Sequence, residues 1–142
     1  NNTWTPTSGP PTPTETPTET PTSTCKTLGC TVEMPDDYYT AGMNCWCRVS
    51  VCNDTAETLI DIPVFVALDV YGLIFFAPGF TEFDQYLIEL PPGETIIQVL
   101  PEFTWPAGAG EATNIIWYAA MTDPGITELY GDFGMYTFGW GV

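Results

Sequence analysis

The stretch NCWCRVSVCN, residues 44–53, alternates between two sets of side chains with the period of two that defines a β-strand. One face is apolar and the other is mixed: Cys45, Cys47, Val49 and Val51 against Trp46, Arg48, Ser50 and Cys52. A strand with this pattern turns one face towards a core and the other away from it. The stretch therefore predicts a half-buried strand of a β-sheet protein.

Further strand-like runs extend from this one in both directions. They cover residues 28–35, 62–76, 83–90, 95–100, 113–121 and 134–142. The run 62–76 has little alternation and is broken at Tyr71-Gly72, so it predicts one long bent strand or two paired strands. Pro91-Pro92-Gly93-Glu94 predicts a hairpin-type turn, and only residues 125–131 have room for one helical turn. About seven short strands predict an all-β, immunoglobulin-like β-sandwich over residues 25–142.

The first 24 residues differ in composition from the rest of the chain. They are mostly threonine, proline and serine, and the sequence ETPT occurs twice, at 15–18 and 19–22. Proline fixes φ and removes a hydrogen-bond donor, so residues 1–24 are predicted to form an extended arm. Twenty residues at about 3.1 Å each reach about 60 Å, further than the roughly 35 Å width of the sandwich. The arm is therefore long enough to reach a neighbouring subunit.

Two kinds of glycosylation motif are present. The threonines that flank prolines in the arm resemble the O-glycan acceptors of mucin-like stalks: Thr12, Thr14, Thr16, Thr18, Thr20 and Thr22. Asn1 and Asn53 each begin an N-x-Thr sequon. The sequence therefore predicts covalent glycans as partners of the chain.

The charge excludes several classes of protein. Eighteen carboxylates stand against Lys26 and Arg48, which gives a net charge of −16. Binding to nucleic acid or to an anionic membrane requires cations, so neither partner is expected. The chain also has no histidine, the commonest general base and a common metal ligand. We therefore expect neither an enzyme nor a cofactor.

Five cysteines lie close together in the sequence: Cys25, Cys30, Cys45, Cys47 and Cys52. Their spacing does not fit a zinc site, so disulfides are expected in an oxidising compartment. The three on the 44–53 strand cannot easily pair with one another, because two share a face close together and the third lies on the other face. Cys25 and Cys30 are the expected partners, and the odd number leaves one thiol over.

Three acidic groups are candidates for Ca²⁺ binding: Asp36-Asp37, Glu82 with Asp84, and Asp123 with Glu128 and Asp132. None matches an EF-hand loop, and turn capping by solvated carboxylates is the favoured interpretation. No specific metal site is predicted.

Aromatic residues make up 14% of the chain, more than one small core needs. Trp46, Trp105 and Trp140 are candidates for a contact surface. Aromatic side chains are enriched at protein interfaces, and proline-rich segments dock into aromatic grooves. A carbohydrate-stacking platform is the other interpretation.

Several motifs in residues 33–140 give the chain a family resemblance: Met34-Pro35, Val51-Cys52-Asn53, IPVFVALDVYG at 62–72, Phe75-Phe76-Ala77-Pro78, Pro92-Gly93-Glu94-Thr95, LPEFTWP at 100–106, WYAAMTDP at 117–124 and Phe138-Gly139-Trp140. With them the chain resembles a largely uncharacterised β-sandwich module found at the C-terminus of large secreted proteins of environmental bacteria, after a TPT-rich linker. The resemblance implies the fold and secretion, and it brings no catalytic residues.

The features together predict an extracellular or cell-surface location. No run of eighteen apolar residues exists, and the chain begins without methionine, as expected after removal of a signal peptide. We expect a structural subunit of an extracellular filament or surface assembly, joined to other copies by its arm and decorated with glycans. The alternative is a non-catalytic binding or anchoring module, for example for carbohydrate.

Overall fold

The structure, a computed structural model, describes residues 25–142. It contains nine strands: β1 (Gly29–Glu33), β2 (Tyr38–Tyr39), β3 (Asn44–Asn53), β4 (Leu59–Val70), β5 (Leu73–Ala77), β6 (Tyr86–Leu90), β7 (Gly93–Thr104), β8 (Ala112–Met121) and β9 (Gly134–Trp140). The fold is an all-β, immunoglobulin-like sandwich, which confirms the predicted class. No helix in the described part of the chain is long and apolar enough to cross a membrane.

Two sheets face each other across the core. The small sheet has the order β1-β3-β7, and the large sheet has the order β2-β9-β8-β4-β5. Strand β6 also pairs with β4, beyond the end of β5. Val64 is paired with Met121 of β8 and with Tyr86 of β6, so β8 lies on one side of β4 and β6 on the other.

The run 62–76 forms two paired strands, one of the two predicted alternatives. β4 and β5 are joined at Tyr71 and Gly72, which have φ angles of 52° and 89°. Positive φ at both central residues is typical of the two-residue turns that match the twist of a hairpin. The break in the apolar run is therefore a tight hairpin turn.

The hairpin predicted around Pro91-Pro92-Gly93-Glu94 is wrong. β6 pairs with β4 in the large sheet, whereas β7 pairs with β3 in the small sheet. The turn therefore carries the chain across the sandwich. Two prolines without N–H groups suit such a crossing, because no ladder hydrogen bonds continue through it. Two apolar runs around a turn do not by themselves show whether the two strands pair with each other or lie in different sheets.

Two other details of the prediction also differ. β2 has only two residues and pairs in parallel with β9, so it is too short to leave a pattern in the sequence. The helical turn allowed for residues 125–131 does not form; that segment consists of turns and isolated bridges.

The alternation in residues 44–53 is confirmed by burial over the first part of the strand, whereas Ser50 and Cys52 of the other face are also buried. Cys45, Cys47, Val49 and Val51 are all fully buried in the core. The pairing of β3 with β7 shifts register on both sides of Cys47, which indicates a bulge near Trp46. Trp117 of β8 is the largest fully buried side chain and packs on the core from the large sheet.

The cysteine prediction is only partly right. Cys25 is bonded to Cys52, so the root of the arm is attached to the end of β3, as expected. Cys30, however, faces the core from β1 and is not bridged, and Cys45 and Cys47 are also free. Three thiols remain instead of one, because the core faces of β1 and β3 bury these sulfurs.

Candidate functional site: an aromatic pocket at one end of the sandwich

A pocket of about 270 Å³ opens where β3 begins and β7 ends. Both sheets contribute to it, together with the loops that follow β1, β5 and β7. All of its lining side chains are apolar or aromatic: Met34, Cys45, Leu68, Val70, Phe80, Leu100, Phe103, Trp105, Pro106, Ile115, Trp117, Phe138 and Trp140. No charged residue lines it, so its chemistry is that of a cleft for apolar groups.

The aromatic rings of the pocket form a continuous chain. Trp105 contacts Phe103 at 5.8 Å and Trp140 at 5.2 Å between ring centroids. Trp140 contacts Phe138 at 6.0 Å, and Phe138 stacks on Trp117 at 6.4 Å. Tilted and stacked pairs at these distances stabilise each other beyond the burial of their area. The rings therefore form a fixed surface.

Trp105 is held in position through its backbone. Its N–H donates to the carbonyl of Met43 at 2.7 Å, and its carbonyl accepts from Gly42 at 3.0 Å. On its inner side the indole stacks on Tyr39, with centroids 5.3 Å apart and planes at 22°. The Tyr39 hydroxyl in turn donates to the carbonyl of Asp36 at 2.7 Å. The indole is thus backed by a fully buried ring whose polar end is satisfied.

A second depression of about 330 Å³ adjoins the first. Trp105 and Pro106 border both, so they form the ridge between them. Small residues and backbone make up the rest of the second depression: Thr40, Ala41, Ala107, Gly108, Ala109, Gly110, Gly141 and Val142. Trp140 Nε1 donates to the carbonyl of Ala109 at 3.0 Å and ties this loop to β9. The two depressions together make a groove with an aromatic half and a backbone-lined half.

Cys45 is the titratable side chain that lines the pocket, and Tyr39 lies behind it, stacked on Trp105. Burial raises the pKa of the Cys45 thiol, and it also raises the pKa of Tyr39. A thiol is nucleophilic only as the thiolate, so Cys45 is a poor nucleophile at neutral pH.

The root of the arm lies at the other end of the sandwich. Cys52, which holds Cys25, and Cys45, which lines the pocket, are close to opposite ends of β3. Seven residues of strand at about 3.3 Å each separate them by about 23 Å. The chain therefore leaves the sandwich at one end and presents its aromatic pocket at the opposite end.

Two of the three tryptophans predicted for a contact surface lie together, and the third does not. Trp105 and Trp140 are in contact in the pocket, while Trp46 lies on the outer face of the small sheet. There the Arg48 guanidinium lies 4.8 Å from the centre of the Trp46 ring. Because neighbouring residues on a strand point to opposite faces, Trp46 and Cys45 cannot serve the same site. The three tryptophans therefore do not form one surface, and their role in contacts stays a prediction.

The N-glycosylation predicted at Asn53 is incompatible with this fold. The side chain is fully buried, and its Nδ2 donates to the carbonyls of Glu57 at 2.7 Å and Leu90 at 3.0 Å. Its Oδ1 accepts from the backbone N–H of Thr55 at 3.0 Å. The asparagine joins the end of β3 to β6, so the nitrogen that would carry a glycan is already used. Asn1 and the six arm threonines lie outside the described residues.

Asp123 and Asp84, in two of the three acidic groups considered for Ca²⁺, act as turn caps. Asp123 accepts from the N–H groups of Thr127 at 2.7 Å and Glu128 at 2.8 Å. Asp84 accepts from Gly79 at 2.9 Å. Within residues 25–142, no three acidic or cysteine side chains come close enough to hold a metal ion. These carboxylates therefore stabilise loops, the interpretation that the sequence favoured.

Most of the residues that line the pocket were not among the candidates from the sequence. Trp117 and Phe138 lie on predicted strands, and Phe103 follows the end of another. Their common signal is an aromatic residue near one end of a strand, yet nothing in the sequence shows which strand ends are neighbours. The topology brings the end of β7 beside β9 and so completes the pocket.

Solved structures of one domain resemble this fold. The crystal structure of the CARDB domain of the PF1109 protein from Pyrococcus furiosus, in complex with di-metal ions, has a TM-score of 0.52 and 15% identity over 82% of this chain and 94% of that one. The NMR structure of the same domain has a TM-score of 0.48 and 15% identity over 80% and 96%. The first likeness supports the sandwich fold alone. No protein-family model and no curated protein matches the sequence.

Proposed function

We propose that this chain is a non-catalytic extracellular subunit that assembles head to tail. In this proposal, the Pro/Thr-rich arm of one copy, residues 1–24, lies in the aromatic pocket of the next. The observation that carries the proposal is the placement of arm root and pocket near opposite ends of β3, about 23 Å apart. With the two halves of a contact at opposite ends of the subunit, each copy can join two others.

The composition of the arm suits the chemistry of the pocket. An extended proline-rich segment loses little entropy on binding, and its rings fill apolar clefts between aromatic side chains. The arm also contains Trp4 and has only two charged side chains, Glu15 and Glu19. It can therefore approach a strongly acidic subunit with little repulsion.

A contact between two different surfaces is heterologous, and unless its rotation closes a ring it continues as a fibre. An arm of about 60 Å is also long enough to return to its own pocket. A head-to-tail contact depends on protein concentration, and an internal one does not. Concentration dependence therefore distinguishes the two.

The location and the glycans form part of the same proposal. The Cys25–Cys52 disulfide suits an oxidising compartment. An extended proline-rich segment has three residues per turn, so its threonines are spread over all sides and those turned away from the groove remain available for O-glycans. Mass spectrometry of the native chain tests this, since O-glycans appear as excess mass on peptides from residues 5–24.

Electron microscopy and sedimentation of the full-length protein test the assembly. The wild type is expected to form concentration-dependent oligomers or filaments. Trp105→Leu, which removes the ridge of the groove, should abolish them, while Trp46→Leu on the other face should not. A synthetic peptide of residues 1–24 in excess should also block assembly. If all three proteins assemble alike and the peptide has no effect, the arm-in-pocket contact does not exist.

A second function is favoured by a separate observation. Trp46, Arg48, Gln98, Pro101 and Glu102 line a shallow groove on the small sheet, where an aromatic ring lies beside hydrogen-bonding groups. That combination fits the face and hydroxyls of a sugar. Glycan-array binding that is lost in Trp46→Ala and kept in Trp105→Ala would support a carbohydrate-binding module. The opposite pattern would support the arm-in-pocket contact.

A further inference from the structure

The groove at the pocket end of the sandwich has carboxylates beside it and none in its aromatic half, which is lined by uncharged side chains. Glu102 directly precedes Phe103 of the lining, and its Oε2 accepts from Asn44 Nδ2 at 2.6 Å where β3 begins. Glu111 follows the loop that lines the other half, next to Gly141. An acidic segment is therefore repelled at this groove, and an uncharged one is not.

The arm divides into an uncharged part and an acidic part. Residues 1–14 contain no charged side chain, whereas Glu15 and Glu19 lie in the remainder. The uncharged part also holds Trp4, the only aromatic residue of the arm; its other rings are those of prolines. Charge therefore selects the part of the arm that contains Trp4.

The size of the aromatic half favours an indole over a proline ring. Its volume is about 270 Å³, and water takes about 30 Å³ per molecule in the liquid, so it has room for about nine waters. The small ring of one proline leaves most of that space empty, whereas the fused double ring of tryptophan fills much more of it. Aromatic side chains bury about 150–250 Å² each, and tryptophan is enriched among the residues that dominate binding.

A buried indole also needs an acceptor for its N–H, and the groove offers several. Within residues 25–142, the carbonyls of Pro106, Ala107 and Gly108 accept no hydrogen bond, and these residues line the backbone half of the groove. The next carbonyl of the same loop, that of Ala109, already accepts the indole N–H of Trp140 at 3.0 Å. A second indole therefore meets apolar rings and unpaired carbonyls in one place. A proline has no N–H and makes no use of these acceptors.

We propose that Trp4 anchors the arm. Its indole fills the aromatic half of the groove on the next copy, and the residues that flank it within 1–7 lie along the backbone half. This inference rests on the proposed function, since it names the part of the arm that the pocket binds.

The rest of the arm then acts as a spacer. Residues 8–24 include all six threonines predicted to carry O-glycans, so the glycans and the contact use different parts of the arm. Trp4 and Cys25 are 21 residues apart, which gives at most about 65 Å at about 3.1 Å per residue. That length limits the distance between the arm root of one subunit and the pocket of the next.

Two synthetic peptides with blocked ends, residues 1–8 and residues 9–24, divide the arm for the test. The receptor is the full-length Trp4→Ala chain, which lacks the anchor and keeps the sequence of the sandwich. Calorimetry should show binding of peptide 1–8, and binding at least about thirtyfold weaker for its Trp4→Ala form. Pro6→Ala in the same peptide is the matched control and should change the affinity less than about threefold, because a small ring buries little area.

Changes in the receptor show where the peptide binds. Trp105→Leu, introduced into the Trp4→Ala chain, should remove binding of peptide 1–8, whereas Trp46→Leu should keep it. Trp140→Phe is a milder change in the same pocket and should weaken binding. Thermal unfolding shows whether each receptor has folded.

The outcomes distinguish this inference from the proposed function. Binding of peptide 1–8 that depends on both Trp4 and Trp105 supports both. Pocket binding of peptide 9–24, with no loss when Trp4→Ala is made in peptide 1–24, keeps the arm-in-pocket contact and overturns the role of Trp4. If no arm peptide binds, both are overturned. Equal binding of peptide 1–8 to the Trp105→Leu and Trp46→Leu receptors indicates a nonspecific apolar contact and overturns the anchor.

Discussion

The indoles of Trp105 and Trp140 lie with ring centroids 5.2 Å apart, although one follows β7 in the small sheet and the other ends β9 in the large sheet. Their contact closes the sandwich at one end and forms the wall of the aromatic pocket. Trp140 also holds the neighbouring loop through its bond from Nε1 to the carbonyl of Ala109. The pocket therefore depends on this pair for both its shape and its rim.

Trp140→Phe is expected to loosen the loop without emptying the pocket. The ring remains, but the hydrogen bond to Ala109 is lost, which typically costs about 1 kcal/mol of unfolding free energy. Urea unfolding measures this loss, with Trp46→Phe as the control because no such bond of that indole is found within residues 25–142. Peptide 1–24 should also bind the Trp140→Phe variant more weakly, as measured by calorimetry. Equal stability of the two variants would contradict the role of the bond.

For Trp117, in contrast, replacement by phenylalanine is expected to cost little stability. Its ring is buried at 1% exposure, and within residues 25–142 its Nε1 has no hydrogen-bond partner. Trp117→Phe removes this unsatisfied donor, and the relief offsets much of the lost packing. We expect Trp117→Phe to change the unfolding free energy by less than about 1 kcal/mol, and Trp117→Ala to cost about 3–5 kcal/mol. A large loss in the phenylalanine variant would mean that the indole N–H has an acceptor.

Strand patterns could be read from the sequence wherever one face meets the core and the other meets polar surroundings. Residues 44–53 are the example, because their buried set was identified by alternation alone. Alternation could not identify the core-facing side of β4, since both of its faces are apolar. β2 was not predicted, because two residues are too few to show the alternation of a strand.

The residues that line the pocket could be only partly predicted from the sequence. Trp105 and Trp140 could be recognised as surface aromatics, but Trp46 could not be separated from them without knowing which face of β3 meets the core. Phe138 and Trp117 lie on predicted strands, and they line the pocket only because β8 and β9 lie beside the end of β7. Which strand ends become neighbours depends on the crossing of residues 91–92 from one sheet to the other. That crossing was not predicted from the sequence.

The three free thiols should be unreactive in the folded protein. Burial raises the pKa of Cys30 and of Cys47 to about 12, and it also raises the pKa of Cys45. At pH 8 almost none of the first two is present as the reactive thiolate. A colorimetric thiol reagent should detect none in native protein, three per chain in denaturant, and five after denaturation and reduction. Fast labelling of native protein would contradict this burial.

The capping carboxylate of Asp123 makes loop stability depend on pH. Its hydrogen bond from the Thr127 hydroxyl, which has the largest effect, and its bond from the Glu128 N–H lower its pKa from an ordinary 3.8 to about 2. Because the folded pKa is the lower one, the stabilisation is fully present above the unfolded pKa and is lost as pH falls through about 2. Asp123→Asn, which cannot ionise, should remove this part of the acid sensitivity. Asp54→Asn, at an exposed carboxylate in another loop, is the control. Thermal unfolding between pH 5 and pH 2 measures both variants, and equal acid sensitivity of Asp123→Asn and the wild type would show that this cap does not titrate.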